Sequence, residues 1–125
     1  MVVALSIVTP AVQRIIRGAK RTEIRSWRPI SVPLRNLALM ENENYLRIEG
    51  AEEEGLLRAV ADVVGVHAWT QEEALADRKT WEPGYFAWEL ANVRELPVPI
   101  ACIAKRRLYE LVEVRNLPPD LVSRW

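Results

Sequence analysis

A group of charged residues between positions 18 and 25 has a spacing that suits recognition of an anion or of a nucleobase. Arg25 can bind phosphate or carboxylate as a rigid fork, whereas Lys20 offers a point charge. Glu23 can hold both cations in place, accept hydrogen bonds from a base edge, or act as a general base. Because adjacent cations stabilise the ionised carboxylate and weaken it as a base, the residue types favour a binding or orienting role.

The elements around this group are predicted to present it to one side of the fold. Residues 2–8 indicate a buried strand, and Thr9 is expected to cap a two-turn helix with Pro10 at its first position. Gly18 falls where a left-handed helix end is expected. Residues 20–27 then continue as an extended segment, in which Glu23, Arg25 and Trp27 share one face. Spacing alone favours a ladder of ion pairs on the surface of a strand.

Aromatic residues are the second candidate feature for binding. The chain has five tryptophans, namely Trp27, Trp69, Trp81, Trp88 and Trp125. A cleft that stacks bases needs exposed aromatic faces beside cations. Trp27 is the best candidate, and Trp69 and Trp81 are expected to form the opposite wall. The alternative is that the rings fill the ends of a barrel, which is the favoured interpretation for Trp88.

The rest of the chain predicts a strand-rich fold. The expected elements are strands over residues 34–40, 45–48, 56–69, 85–96 and 108–114, an acidic loop over residues 50–55, a helix capped by Thr70 and Glu73 that ends near Arg78, and a connection over residues 97–104. The connection is predicted because Pro97 and Pro99 interrupt strand pairing. About six strands with two or three short helices indicate a mainly β, α+β fold, built as a small mixed β-barrel.

Length and composition bound the class of protein. A chain of 125 residues predicts a single domain over residues 1–125. The longest apolar run is too short for a membrane span, so we expect no membrane partner. Cys102 is the only cysteine and no export signal is recognisable, which together predict a reducing, cytoplasmic location.

The charges balance overall but not locally. The chain has 17 basic and 17 acidic residues, which argues against broad coating of nucleic acid by bulk attraction. Residues 14–28 are nevertheless strongly basic, and this run includes Arg28 as a further candidate contact. Residues 41–54 are strongly acidic. Each run is either a solvated face or a surface for a partner of opposite charge.

No cluster of residues predicts a metal or a cofactor. His67 is the only histidine, and its sequence neighbours do not give a zinc spacing or a Cys–His pair. The chain also lacks a glycine-rich phosphate loop. We therefore expect no metal ligands and no bound cofactor.

The charged group and its surroundings resemble the ASCH family (activating signal cointegrator homology), whose fold is similar to the PUA-type β-barrel of RNA-binding proteins. The resemblance rests on residues 4–7, Pro10, residues 18–27, residues 85–88 and residues 93–96, and it extends over most of the chain. In that family the matching motif lines a cleft between the first helix and the barrel. The resemblance therefore implies that Gly18, Lys20, Glu23 and Arg25 line such a cleft here.

Two main functions follow from the resemblance. The first is a binding module for RNA, a nucleotide or a modified nucleoside, with Trp27, Arg28 and Trp69 as additional contacts. The second is an amidohydrolase acting on N4-acylated cytidine, in which Lys20 would be catalytic, together with Glu23 at the position of the family's threonine nucleophile. Thr22 lies one residue away from that position, and Glu82 is a candidate for the family's distant glutamate. A ribonuclease, or an interaction domain that uses the acidic run, are lesser alternatives.

Overall fold

The computed structural model describes residues 1–122, so Trp125 lies outside the described residues. In chain order the elements are β1 (Val3–Val8), α1 (Ala11–Ile16), β2 (Thr22–Arg25), β3 (Leu34–Asn42), β4 (Glu52–Ala68), α2 (Gln71–Ala76), β5 (Phe86–Lys105), β6 (Leu108–Glu110) and a 3₁₀ turn at Pro119–Leu121. Neither α-helix in this part of the chain has the length and apolar character needed to cross a bilayer.

The six strands form one mixed sheet in the order β2-β5-β4-β3-β1-β6. Strands β1 and β3 are parallel, and the other neighbouring pairs are antiparallel. The sheet is not closed, since β2 and β6 lie at its two edges. The expected mainly β, α+β fold with about six strands and two or three short helices is confirmed, but the sheet does not close into the expected barrel.

Helix α1 packs on the sheet through one apolar stripe. Val12 and Ile15 are buried in a core cluster that also contains Leu5 from β1, Leu39 from β3 and Trp88 from β5. The spacing of Val12 and Ile15 places both on the same helical face, as the sequence predicts. Trp88 is fully buried, which confirms its expected role in filling the core.

Strand β5 continues through the two prolines that were expected to end it. In the register with β4, Glu95 lies opposite Ala59 and Ile100 lies opposite Leu57. Residues 96–99 of β5 therefore face a single residue of β4, Arg58. Residues inside such a bulge are not paired in the ladder, so the missing N–H of proline leaves no strand hydrogen bond unmade. The predicted connection over residues 97–104 is therefore wrong, because the bulge accommodates the prolines and pairing resumes at Ile100.

Several other boundaries differ from the predictions, including β6, which ends at Glu110 where a strand to residue 114 was expected. Helix α1 begins at Ala11 with Pro10, not Thr9, as the N-cap residue and has no side-chain cap, and the Thr9 N–H donates to the Asn42 carbonyl at 2.9 Å. Residues 45–48 are not a strand, and the predicted acidic loop after Gly50 is already the start of β4 from Glu52. Pairing of this segment with Cys102–Lys105 of β5 overrides its weak strand propensity.

Candidate functional site

The end of helix α1 directs the chain into the candidate site. Gly18 has a φ of +79°. Its N–H donates to the Ile15 carbonyl at 3.0 Å, and the N–H groups of Ala19 and Lys20 donate to the Arg14 carbonyl at 2.9 and 3.2 Å. These bonds form a Schellman-type helix end, which needs a left-handed residue that glycine adopts without steric cost. The turn places Lys20 immediately before β2.

Strand β2 pairs with β5 and carries the acid and the guanidinium. Glu23 lies opposite Trp88 and Arg25 lies opposite Phe86 in the antiparallel register. The Arg25 Nη2 donates to the backbone carbonyl of Ser6 in β1 at 2.8 Å. Arg25 therefore connects the edge strand β2 to a strand near the other edge of the sheet.

The two cations approach the same oxygen of Glu23. Lys20 Nζ lies 3.9 Å from Glu23 Oε1, and Arg25 Nε lies 4.0 Å from the same atom. Burial lowers the pKa of the Lys20 amine, and the nearby Glu23 carboxylate opposes that shift. Lys20 is consequently easier to deprotonate than an exposed lysine.

The other oxygen of Glu23 is left without a partner. Glu23 is only 8% exposed, and its Oε2 makes no hydrogen bond to any described residue. A buried acceptor without a donor costs about 1–3 kcal/mol, and more when it is charged. Such an atom is well suited to accept a hydrogen bond from a bound molecule.

These residues line a cleft of about 560 Å³. The part of its lining that the structure describes includes one carboxylate, Glu23, and seven cationic residues, which are Lys20, Arg25, Arg47, Lys79, Lys105, Arg106 and Arg107. Three aromatic residues, Trp27, Tyr45 and Tyr85, also line it. The cleft is therefore basic and aromatic, with a single acid in its wall.

Trp27 is fixed by contacts on two sides. Its ring meets that of Trp88 edge to face at 4.9 Å between centroids, and its backbone carbonyl accepts a 3.1 Å bond from the Trp88 indole N–H. The guanidinium of Arg107 lies over the Trp27 ring at 5.2 Å. An aromatic ring held in this way is preorganised for a neighbouring ligand.

The structure brings together four of the seven residues that the sequence predicts for the site. Lys20, Glu23, Arg25 and Trp27 line the cleft, whereas Gly18 only shapes the turn that leads to it. Arg28 and Trp69 are also absent from the described lining. The Arg28 guanidinium lies over the Phe86 ring at 5.3 Å, and the Trp69 ring packs against Tyr85 at 6.1 Å. Trp81 is not in the described lining either, and Tyr85 takes the wall position that was expected for Trp69 and Trp81.

Sequence reasoning missed the cations contributed by distant segments. Arg47 comes from the loop after β3, Lys79 follows α2, and residues 105–107 form the end of β5 and the turn into β6. The run Lys-Arg-Arg at residues 105–107 is a visible signal in the sequence. Its proximity to residues 20–25 depends on strand pairing that short-range patterns do not reveal.

A second, larger groove of about 730 Å³ is acidic. Its described lining includes five carboxylates, which are Glu41, Glu43, Glu53, Glu54 and Glu113. Asn42 lines both this acidic groove and the basic cleft, so the end of β3 separates the two.

Three carboxylates of the acidic groove are engaged within the fold. Glu53 accepts bonds of 2.8–2.9 Å from the backbone N–H groups of residues 43–44 and from the side chains of Asn42 and Asn44. These bonds, first those from Asn44, lower the pKa of Glu53 to about 2. Glu41 accepts a 2.7 Å bond from Arg58 Nε and a 3.2 Å bond from Gln13.

The third is Glu113, which accepts a 2.6 Å bond from the Ile103 N–H. That bond lowers the pKa of the Glu113 carboxyl group. Glu41, Glu53 and Glu113 therefore serve the fold itself, each through donors from another segment.

The lone histidine and the lone cysteine take structural places. His67 lies between two carboxylates, with Nδ1 at 2.8 Å from Glu89 and Nε2 at 2.9 Å from Glu73. Hydrogen bonds to Glu89 and then to Glu73 raise the pKa of His67. Glu73 also completes the expected capping box with Thr70, which is confirmed.

Burial raises the pKa of the Cys102 thiol. Over residues 1–122 no group of three or more His, Cys, Asp or Glu side chains is placed to hold a metal ion.

Comparison with known proteins identifies the family. The family model of the ASCH domain matches residues 5–100, which include the helix end, β2 and most of β5. No curated protein matches the chain. The match extends over well more than half of the sequence and includes the Lys20, Glu23 and Arg25 positions. This chain belongs to the ASCH domain family.

Proposed function

We propose that the basic cleft binds a nucleotide, a modified nucleoside or a short RNA segment through its base. The observation that carries this proposal is the buried Glu23 Oε2, which has no donor within the described fold. A base with an exocyclic amino group supplies such a donor.

The residues around Glu23 support the same ligand class. Lys20 and Arg25 lie on the Oε1 side of the carboxylate at ion-pair distances of 3.9 and 4.0 Å, and neither donates a hydrogen bond to Oε2. Trp27 and Tyr45 line the same cleft, and bases stack on aromatic rings whatever their identity. A volume of about 560 Å³ is within the range of small-molecule pockets.

The proposal is tested by comparing CMP with UMP, which differ by an amino group or a carbonyl at one ring position. Fluorescence titration follows binding, since Trp27 lines the cleft. We expect CMP to bind about tenfold more tightly than UMP, because the UMP carbonyl would face the Glu23 carboxylate. Glu23→Gln should abolish this preference, whereas Glu54→Gln in the acidic groove should retain it. Equal binding of CMP and UMP, unchanged by Glu23→Gln, would contradict the proposal.

A second candidate function, hydrolysis of N4-acylated cytidine, is favoured by one observation. Burial lowers the pKa of Lys20, so a larger fraction of the amine is neutral near pH 7 and able to accept a proton from an attacking water. Thr22 and Glu82 are not among the described residues that line the cleft, so neither supplies the family's other groups there.

Incubation with N4-acetylcytidine, with released acetate as the measurement, tests the reaction. Turnover that is lost in Lys20→Met would support it. A lack of acetate at high protein concentration would leave binding as the function of the cleft.

A further inference from the structure

We propose that the turn between β5 and β6 forms a phosphate subsite, with Arg106 and Arg107 as its donors. The ligand of the cleft would then be a phosphorylated nucleotide or an RNA phosphodiester in preference to a free nucleoside. This inference rests on the proposed function and adds the chemical class of the ligand.

The turn is short and both arginines lie in it. Strand β5 ends at Lys105 and β6 begins at Leu108, which leaves Arg106 and Arg107 between them. Both residues are exposed and both line the basic cleft. Guanidinium groups bind phosphate oxygens through paired N–H donors, so two adjacent arginines make a suitable phosphate site.

Ser6 anchors the turn beside Arg25. The Ser6 hydroxyl donates to the Lys105 carbonyl at 2.7 Å and lies 2.8 Å from the Tyr109 hydroxyl. Since its one hydrogen goes to Lys105, Ser6 accepts from Tyr109. Burial raises the pKa of Tyr109, which keeps this donor protonated. The Ser6 carbonyl in turn accepts the bond from Arg25, so one residue of β1 fixes both the turn and the Arg25 side of the cleft.

The positive charge of the turn is not neutralised within the described fold. Lys20 and Arg25 share Glu23, and Lys105 lies 4.0 Å from Glu52. For Arg106 and Arg107, by contrast, no ion pair with a residue of the described chain is present, and Arg107 is held over the Trp27 ring at 5.2 Å. Uncompensated like charges repel one another, and a bound dianion removes that repulsion.

The arrangement places two complementary groups in one cleft. Glu23 Oε2 offers an acceptor to a base, and the arginine turn offers donors to an anion. Trp27 connects them, because it follows Arg25 by two residues and its ring lies under Arg107. A molecule that satisfies both ends carries an amino group and a phosphate, as a nucleotide does.

The experiment measures the affinities of cytidine, CMP and the dinucleotide CpC by isothermal titration calorimetry. In the wild type we expect CMP to bind about tenfold more tightly than cytidine, with a difference that shrinks as salt increases. In Arg106→Ala the CMP affinity should fall to that of cytidine while the cytidine affinity stays constant. Arg107→Asn should also reduce the gain from the phosphate, and asparagine is chosen because it tolerates the φ of +59° at this position. Arg115→Ala, at an exposed position outside both grooves, makes the same change in net charge and should keep the difference.

The outcomes separate this inference from the proposed function. Cytidine binding that depends on Glu23, with no gain from the phosphate, would overturn the subsite alone. A phosphate gain that persists in both arginine variants would also overturn it. If neither cytidine nor CMP binds, the proposed function fails and the subsite with it. When the gain is present, tighter binding of CpC than of CMP identifies the phosphodiester of RNA as the ligand, and the reverse identifies a mononucleotide.

Discussion

The basic cleft and the acidic groove lie on either side of Asn42, but they differ in how their charges are used. In the acidic groove, Glu41, Glu53 and Glu113 accept hydrogen bonds from other parts of the chain. In the basic cleft, an oxygen of Glu23 lacks a donor and the arginines of the β5–β6 turn lack an acid among the described residues. Three carboxylates of the acidic groove therefore have donors within the fold, whereas Glu23 Oε2 in the basic cleft has none among the described residues.

This contrast teaches that size and charge alone do not identify a binding site. A carboxylate that serves a turn or an ion pair has little left to offer a partner, whereas an unsatisfied buried acceptor gains when a ligand supplies a donor. The pKa of Glu53 shows the first situation, because its hydrogen bonds hold it ionised down to about pH 2. Glu23 Oε2 shows the second, because it is buried and has no donor among the described residues.

The largest difference between the two regions is expected from replacing two arginines, one that binds Glu41 of the acidic groove and one that lines the basic cleft. Arg58→Met leaves the Glu41 carboxylate, whose side chain is 9% exposed, without its 2.7 Å partner. We expect it to lower the free energy of unfolding by about 3 kcal/mol, whereas Arg106→Met should change it by less than about 0.5 kcal/mol. Urea unfolding of both variants measures the difference. Equal losses of unfolding free energy in Arg58→Met and Arg106→Met would contradict the proposed difference between the acidic groove and the basic cleft.

Acid unfolding tests the structural role of Glu53. Its pKa is depressed in the folded protein, so its contribution to stability is present above the unfolded value near 4.5 and is lost as pH falls towards 2. Glu53→Gln should therefore destabilise the protein at neutral pH, and the difference from wild type should shrink between about pH 5 and pH 2. Thermal unfolding across that range follows it. A difference that stays constant with pH would contradict the assignment.

A smaller effect is expected at the helix end that leads into the cleft. A Cβ at Gly18 would meet no atom within 4 Å, so the cost of Gly18→Ala comes from the left-handed backbone alone. We expect a loss of about 1–2 kcal/mol in the free energy of unfolding. Gly18→Asn should lose less, since asparagine adopts this conformation more readily. Urea unfolding compares the two, and an equal loss would mean that side-chain contacts decide the effect.

The smallest effects should come from the acidic residues that make no ion pair in the part of the chain described. Glu43 and Glu54 are exposed at the edge of the acidic groove. Their replacement by glutamine should change the free energy of unfolding by less than about 0.5 kcal/mol and leave CMP affinity nearly unchanged. Unfolding and titration of the double variant measure both. A large loss of CMP affinity would place ligand contacts in the acidic groove.

Local features of the fold were predictable where short-range chemistry controls them. The two-turn length of α1, the left-handed Gly18 and the Thr70–Glu73 capping box follow from residue types at fixed spacing. Strand continuation was not predictable in the same way. Pro97 and Pro99 indicate a break, but a bulge opposite Arg58 accommodates them. Residues 45–48 have strand-like composition and form a loop because they have no pairing partner in the sheet.

The sequence alone determined the charged group at residues 20–25, the turn that precedes it and the family that it resembles, because these depend on neighbours within a few residues. Only the tertiary structure decided which cations share a cleft with Glu23, since Arg47, Lys79 and the arginines at 106 and 107 arrive through loops and strand pairing far along the chain. It also decided that Glu41 and Glu53 are engaged while one oxygen of Glu23 is not. Hydrogen bonds between segments that are distant in the sequence determine which carboxylates are engaged, and the amino-acid composition does not predict those bonds.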